Sequence, residues 1–218
     1  MPAPGPARDV GSIAAAGPSE EPDKLSDELE RWLQGDGDKS LGGLIELFGP
    51  RSFAILFVLL LGIPALPLPT GGATHVFEII AVLVAFQLLL GRDEIWLPQR
   101  WRKIELTGEK RTRFLGTLIR LVRRLERLSR PRLAFLFDRR SSNVVFALLV
   151  IGGSIAAFLA PPFTGLDTLP ALGVVLLSLA VLLRDTAVVL AALAVGATGV
   201  VLEIALGAAA LRGIWKIF

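Results

Sequence analysis

The stretch that decides the fold runs from Arg51 to Pro98. It opens with an apolar run, Phe53-Ala54-Ile55-Leu56-Phe57-Val58-Leu59-Leu60-Leu61-Gly62-Ile63. A break follows, Pro64-Ala65-Leu66-Pro67-Leu68-Pro69-Thr70-Gly71-Gly72. A second apolar run, Val76 to Leu90, ends at Gly91-Arg92-Asp93-Glu94. A helix cannot continue through prolines so spaced, because each removes a backbone donor and clashes with the preceding turn. The pattern predicts two helices folded back on each other at depth, each shorter than the ~20 residues a membrane-spanning helix needs. Short apolar segments interrupted by Pro and Gly are how re-entrant hairpins and broken transporter helices read in sequence.

The rest of the composition agrees. Of 218 residues 53% are hydrophobic, and the mean hydropathy of +0.62 is too apolar for a soluble domain. The expected class is therefore an all-α integral membrane bundle. The absence of cysteine excludes disulfides and thiolate metal sites. A single histidine, His75, leaves little from which to build a zinc site or a Ser/His/Asp triad. Residues 1–23 are rich in Pro, Ala, Gly and acids. They read as a disordered tail with no secretion signal, so insertion is expected from the internal runs.

Charge is unevenly divided. Residues 1–40 carry four basic and nine acidic side chains, and residues 99–140 carry fourteen basic and four acidic. No window of the basic block could cross a bilayer, because a central arginine costs a few kcal/mol on insertion scales. Phe114, Leu115, Leu118, Ile119, Val122 and Leu125 recur at helical spacing, with Arg120, Arg123, Arg124 and Arg127 on the other faces. The block reads as a cytoplasmic amphipathic segment, its arginines on anionic lipid. Nucleic acid is not expected, since the positive-inside rule already explains basic residues flanked by apolar runs.

Six segments result: the tail 1–23, short amphipathic helices in 24–50, a first hairpin 51–98, the basic segment 99–140, a second hairpin 141–185, and a spanning helix in 186–218. In 24–50, Ser26 is expected to cap one helix stopped by Gly35, and Ser40 to start another ending at Gly49-Pro50. Trp32 suits a membrane interface. Amphipathicity alone does not choose between lipid and protein as the apolar partner of these helices.

The two hairpins look related. Pro67-Leu68-Pro69-Thr70-Gly71, an apolar run and Leu90-Gly91-Arg92-Asp93 correspond to Pro161-Pro162-Phe163-Thr164-Gly165, an apolar run and Leu183-Arg184-Asp185. Paired Pro-broken segments in corresponding positions point to a site near the midplane of a transporter-like fold. Re-entrant and fully spanning hairpins put the basic block on the same side, so both architectures stay open at this point.

Several motifs then resemble the ExoD family of bacterial exopolysaccharide-synthesis membrane proteins. They are Gly49-Pro50-Arg51, the Pro-rich break, Gln87-Leu88-Leu89-Leu90-Gly91-Arg92, Trp96-Leu97-Pro98, Arg130-Pro131-Arg132-Leu133, Leu169-Pro170-Ala171 and Leu183-Arg184-Asp185. Together they cover roughly residues 25 to 207. The second break departs from the family, with Phe163-Thr164-Gly165 where a more polar turn is usual. The resemblance implies a multi-pass inner-membrane protein linked to exopolysaccharide production and tolerance of alkaline conditions. It brings no established catalytic residues and no defined substrate.

Few polar groups interrupt the apolar runs. Glu78 follows the first break and would carry a proton or bind a cation if buried, and His75 shares its helical face. Gln87 would either join helices or line a path. Glu203 is the only charge in the last run. Thr70-Gly71 and Thr164-Gly165 complete the candidate binding set. Asp167 is placed to cap a helix. No phosphate loop, nucleophile elbow or dinucleotide fingerprint occurs. Paired carboxylates for sugar chemistry are not evident, so neither an enzyme nor a cofactor is expected. Two readings follow: a small transport or permeation module for a proton, ion or small solute, and a membrane accessory that packs against polysaccharide-assembly proteins. A homodimer is expected in either case, because so small a bundle covers its hairpin ends poorly.

Overall fold

A computed structural model describes residues 24–66, 74–105, 108–128, 140–160 and 165–215. The N-terminal tail, most of the first Pro/Gly break, Arg130–Leu133 and the second break at Pro161–Thr164 lie outside the described residues. So do the candidates Thr70, Gly71 and Thr164.

The described residues are helical: α1 (Leu25–Gln34), α2 (Leu41–Phe48), α3 (Ser52–Leu61), α4 (His75–Leu89), α5 (Gln99–Arg102), α6 (Glu109–Leu128), α7 (Arg140–Leu159), α8 (Thr168–Leu183) and α9 (Thr186–Trp215). Two stretches, Arg140–Leu159 and Thr186–Ala209, are long and apolar enough to cross a membrane. α3, α4 and α8 are apolar but shorter.

α3 is the centre of the bundle. Phe57 and Leu61 have no exposed surface, and Phe53, Ile55, Leu56 and Val58 are buried. α4 packs against α7, α3 against α8, and α9 along α8. Phe57 meets Phe146 of α7 edge to face, with ring centroids 5.7 Å apart. α4 and α7 run antiparallel. At one end the His75 ring lies 5.1 Å from that of Phe158. At the other, the Arg140 guanidinium covers Gly91, 2.8 Å from where a β-carbon would stand. Gly91 also has φ 76°, a conformation that favours glycine there.

The helix ends follow local chemistry. Ser40 caps α2, its Oγ accepting from the Gly43 N–H at 3.1 Å. The Ser40 hydroxyl and N–H in turn donate to Asp38 at 2.7 and 2.9 Å, which holds that carboxyl below its usual range. α8 ends at Arg184 in a left-handed conformation, φ 52°. The chain then turns directly into α9, whose first turn is capped by Asp185 through a 2.8 Å bond from the Ala187 N–H.

Two expectations about caps are corrected. α1 is capped two residues earlier than expected, at Lys24. Ser26 lies inside the helix and donates its N–H to Glu126 of α6 at 3.0 Å, and its hydroxyl to the same carboxylate. A tertiary carboxylate outcompetes the local cap. Asp167 stands at the cap position of α8, but its side chain makes no capping bond there.

The choice left open for the amphipathic helices falls to protein. Leu25 and Leu29 of α1 are buried together with Leu118, Ile119 and Val122 of α6. Arg123, expected at the membrane surface, instead pairs with Glu30 and with Asp27 at 3.7 Å. The acidic face of α1 neutralises one side of α6, while Arg120, Arg124 and Arg127 remain exposed. Trp32 carries the Lys39 ammonium over its ring at 5.5 Å.

α8 and α9 approach backbone to backbone. A β-carbon on Gly173 would lie 2.6 Å from Gly196 Cα, and one on Gly199 2.8 Å from both Leu169 Cβ and Pro170 N. Gly173→Ala should therefore lower stability by about 1–3 kcal/mol, read from SDS-driven unfolding in mixed micelles. Gly152→Ala, whose β-carbon meets nothing, should be neutral or stabilise by up to ~1 kcal/mol. Equal effects at the two positions would show that α8 and α9 are not seated this closely.

Candidate functional site

The hairpin ends away from Gly91 and Arg184 carry the buried acids. Thr74 and Glu78 occupy the start of α4, where the Thr74 carbonyl accepts from the Phe77 and Glu78 N–H groups at 2.9 and 3.2 Å. Glu78 is fully buried. His75, one turn before it, reaches its Oε2 through Nδ1 at 2.7 Å. The spacing of three puts both groups on one helical face. Phe158 packs against the other side of the imidazole and fixes its plane.

That bond satisfies only one carboxyl oxygen. Glu78 Oε1 is buried with no hydrogen-bond partner among the described residues, and Glu203 Oε1 on α9 is likewise buried and unpartnered. Asp167 is within electrostatic range of both carboxyls, and Glu78 of Glu203. Three acids from three helices therefore share one end of the bundle with one imidazole. Removing a charge from water costs several kcal/mol unless it is paired. The first-turn N–H groups of α4 favour negative charge on Glu78, but they do not replace a partner for the free oxygen. The acids are not drawn together tightly: among the described residues no three His, Asp or Glu side chains could hold a metal ion.

Other candidates lie elsewhere. Gln87 is near the far end of α4. Its Oε1 accepts from the Trp96 N–H at 2.8 Å and its Nε2 donates to the Trp96 carbonyl at 3.2 Å. The side-chain amide thus pairs with the backbone like a short strand and pins the loop after α4. Gly165 precedes α8 with φ 68°, a turn position that favours glycine. Asp167 was read only as a cap.

The fold and this site define an all-helical protein with two helices long and apolar enough to cross a membrane and a buried glutamate at one end of the bundle. The chain belongs to the ExoD family, described as exopolysaccharide synthesis, whose model matches residues 25–205. It is 29% identical over 154 residues to the uncharacterized protein slr1875 of Synechocystis sp., a match covering 69% of this chain and 72% of that protein. It is 32% identical over 143 residues to Protein ExoD of Rhizobium meliloti, covering 65% of this chain and 59% of that protein, less than two thirds of its length. No solved structure matches.

The His75–Glu78 bond can be weighed directly. His75→Ala should cost about 1–3 kcal/mol in thermal unfolding in detergent, because it leaves a buried carboxyl without its donor. Adding Glu78→Leu should recover most of that loss, since removing both polar partners is nearly neutral. If the double variant is weaker than the single one, Glu78 has a stabilising partner other than His75.

Proposed function

We propose that the chain is a multi-pass bacterial inner-membrane protein of exopolysaccharide synthesis that passes protons through its acid end. The observation that carries this reading is the fully buried Glu78, with one oxygen on His75 and the other without a partner among the described residues. Ionisable residues at membrane depth mark ion paths and proton relays. The neighbouring Glu203 and Asp167 give a transferred proton alternative oxygens to occupy. A proton needs one or two oxygens at a time, which suits acids that are near one another without forming a cage.

Depth along α9 supports a re-entrant arrangement. The apolar stretch Thr186–Ala209 extends about 9 Å past Glu203 at 1.5 Å per residue. The starts of α4 and α8, whose Glu78 and Asp167 are within electrostatic range of Glu203, would then lie within the apolar slab. An internal repeat is supported by the packing: exchanging α3 with α7 and α4 with α8 converts the α4–α7 contact into the α8–α3 contact, and both are present. Inverted or parallel repeats meeting at a midplane site are the usual plan of small transporters.

A second reading rests on Arg120, Arg124 and Arg127, exposed along α6. That face suits anionic lipid or an acidic partner in polysaccharide assembly, and the chain would then be an accessory, acting as a homodimer or in a larger assembly.

In proteoliposomes containing a pH-sensitive dye, the purified protein should carry a pH-dependent proton flux. Glu78→Gln should abolish it while insertion persists. No flux from the unaltered protein, together with loss of cellular function on Arg124→Glu/Arg127→Glu, would replace the transport reading with the accessory one. Depth is tested separately in this cysteine-free chain: Leu66→Cys and Gly165→Cys should resist a bulky, membrane-impermeant maleimide from both sides. Rapid labelling at either position would show that the turns reach water.

A further inference from the structure

At the opposite end of the bundle, about 20 Å along α4 from His75, four helix ends surround a cavity of about 280 Å3. Arg51 precedes α3, Arg92 follows α4, Asn143 lies in the first turn of α7, and Arg184 ends α8. All four line this cavity, with Asp93 beside them. Three guanidinium groups against one carboxylate leave the lining positively charged. Arg140 adds a fourth guanidinium nearby, over Gly91. The floor is of the other kind: Phe53, Ala54, Leu88, Phe146, Val181 and Leu182. None of these arginines belongs to the acid end.

We propose that this cavity is a binding site for a phosphoryl group, with the apolar floor receiving the carbon chain of an amphiphilic phosphate. Guanidinium groups present planar, fixed donors that match phosphate oxygens two at a time, and their bonds to phosphate are charge-assisted. The beginnings of α3 and α7 add N-terminal helix fields that favour an anion. Asp93 opposes the anion and narrows the choice to a group that engages several arginines together. Small-molecule sites commonly combine an apolar lining with a few convergent polar groups. At about 280 Å3 the cavity holds a headgroup and the first carbons of a chain, not a whole lipid. The same phosphoryl chemistry is carried by a membrane lipid headgroup and by a free phosphate, and only the first would use the floor.

The test is titration calorimetry of the full chain in neutral detergent with two probes, dihexanoyl phosphatidic acid and inorganic pyrophosphate. The site predicts saturable binding of at least one probe, weakened about tenfold or more by Arg92→Gln, as expected for loss of a charge-assisted hydrogen bond. Arg92→Lys should recover part of the affinity, since it restores the charge without the fork. Arg31→Gln on α1, an exposed arginine away from the cavity, should leave binding unchanged. Arg51→Gln, on another wall, gives the same reading should Arg92→Gln not fold. Tighter binding of phosphatidic acid identifies the lipid as the source, and equal or tighter binding of pyrophosphate identifies a free phosphate. No saturable binding of either probe, or affinity that falls with Arg31→Gln and not with the cavity arginines, would overturn the proposal.

Discussion

The close seating of α9 on α8 is the constraint on which the acid end depends. Gly173 meets Gly196 so closely that a β-carbon on Gly173 would displace the Gly196 backbone, and Gly199 rests on Leu169 and Pro170 in the same way. In a bilayer, helices gain little from hiding apolar surface, because lipid tails are as apolar as leucine. Association there relies on van der Waals contact between small residues. Gly196, Gly199 and Glu203 follow one another at spacings of three and four, so they share a face of α9. The contact that fixes α9 therefore also turns Glu203 inward at the level where α8 begins and Asp167 stands. A wider separation of the two helices would leave a carboxylate facing lipid, which is costly.

The other acid is placed by a different means. Glu78 sits in the first turn of α4, and α4 is held along its length by α7. Contacts at both ends fix their register: the His75 ring on Phe158 at one end, the Arg140 guanidinium over Gly91 at the other. Gln87 adds a clamp on the loop that follows. The polar residues of α4 thus divide by position, with ionisable groups in the first turn and structural ones in the last. The bundle ends differ as well: Glu78, Asp167 and Glu203 gather at one, and Arg51, Arg92 and Arg184 converge at the other with Asp93 among them.

Much of this was legible in the sequence, because apolar runs, glycines and prolines act locally. The helices after each break, the stop at Gly35, the cap at Ser40 and the end of α8 at Leu183 all follow from short-range chemistry. The pairing of His75 with Glu78 was readable for the same reason, three residues apart on one helix. What sequence could not supply was the choice among distant partners. Ser26 looks like a cap until Glu126 is folded against it. The arginines of α6 look alike until α1 presents Glu30 and Asp27 to Arg123 alone. Gln87, an unexplained polar residue in an apolar run, finds its role only when the backbone at Trp96 returns to it.

The grouping of Arg51, Arg92, Asn143 and Arg184 is the hardest of these to foresee, and the reason is topological. Each lies at an end of a different helix, where a charged residue is explained well enough as a stop at a water boundary. Two antiparallel hairpins that pack against each other must bring four such ends to one place. Charges that are ordinary one at a time then become a convergent set. The matched span, residues 25–205, contains all four of these positions and all three acids, with Glu203 only two residues from its limit. The remainder of α9 runs on past that limit, and its exposed Leu206 is covered by neither hairpin. The part of the chain shared with the family is thus the part that closes both ends of the bundle. Each end depends on residues from both hairpins, and the acid end on α9 as well, so neither hairpin alone would assemble either one.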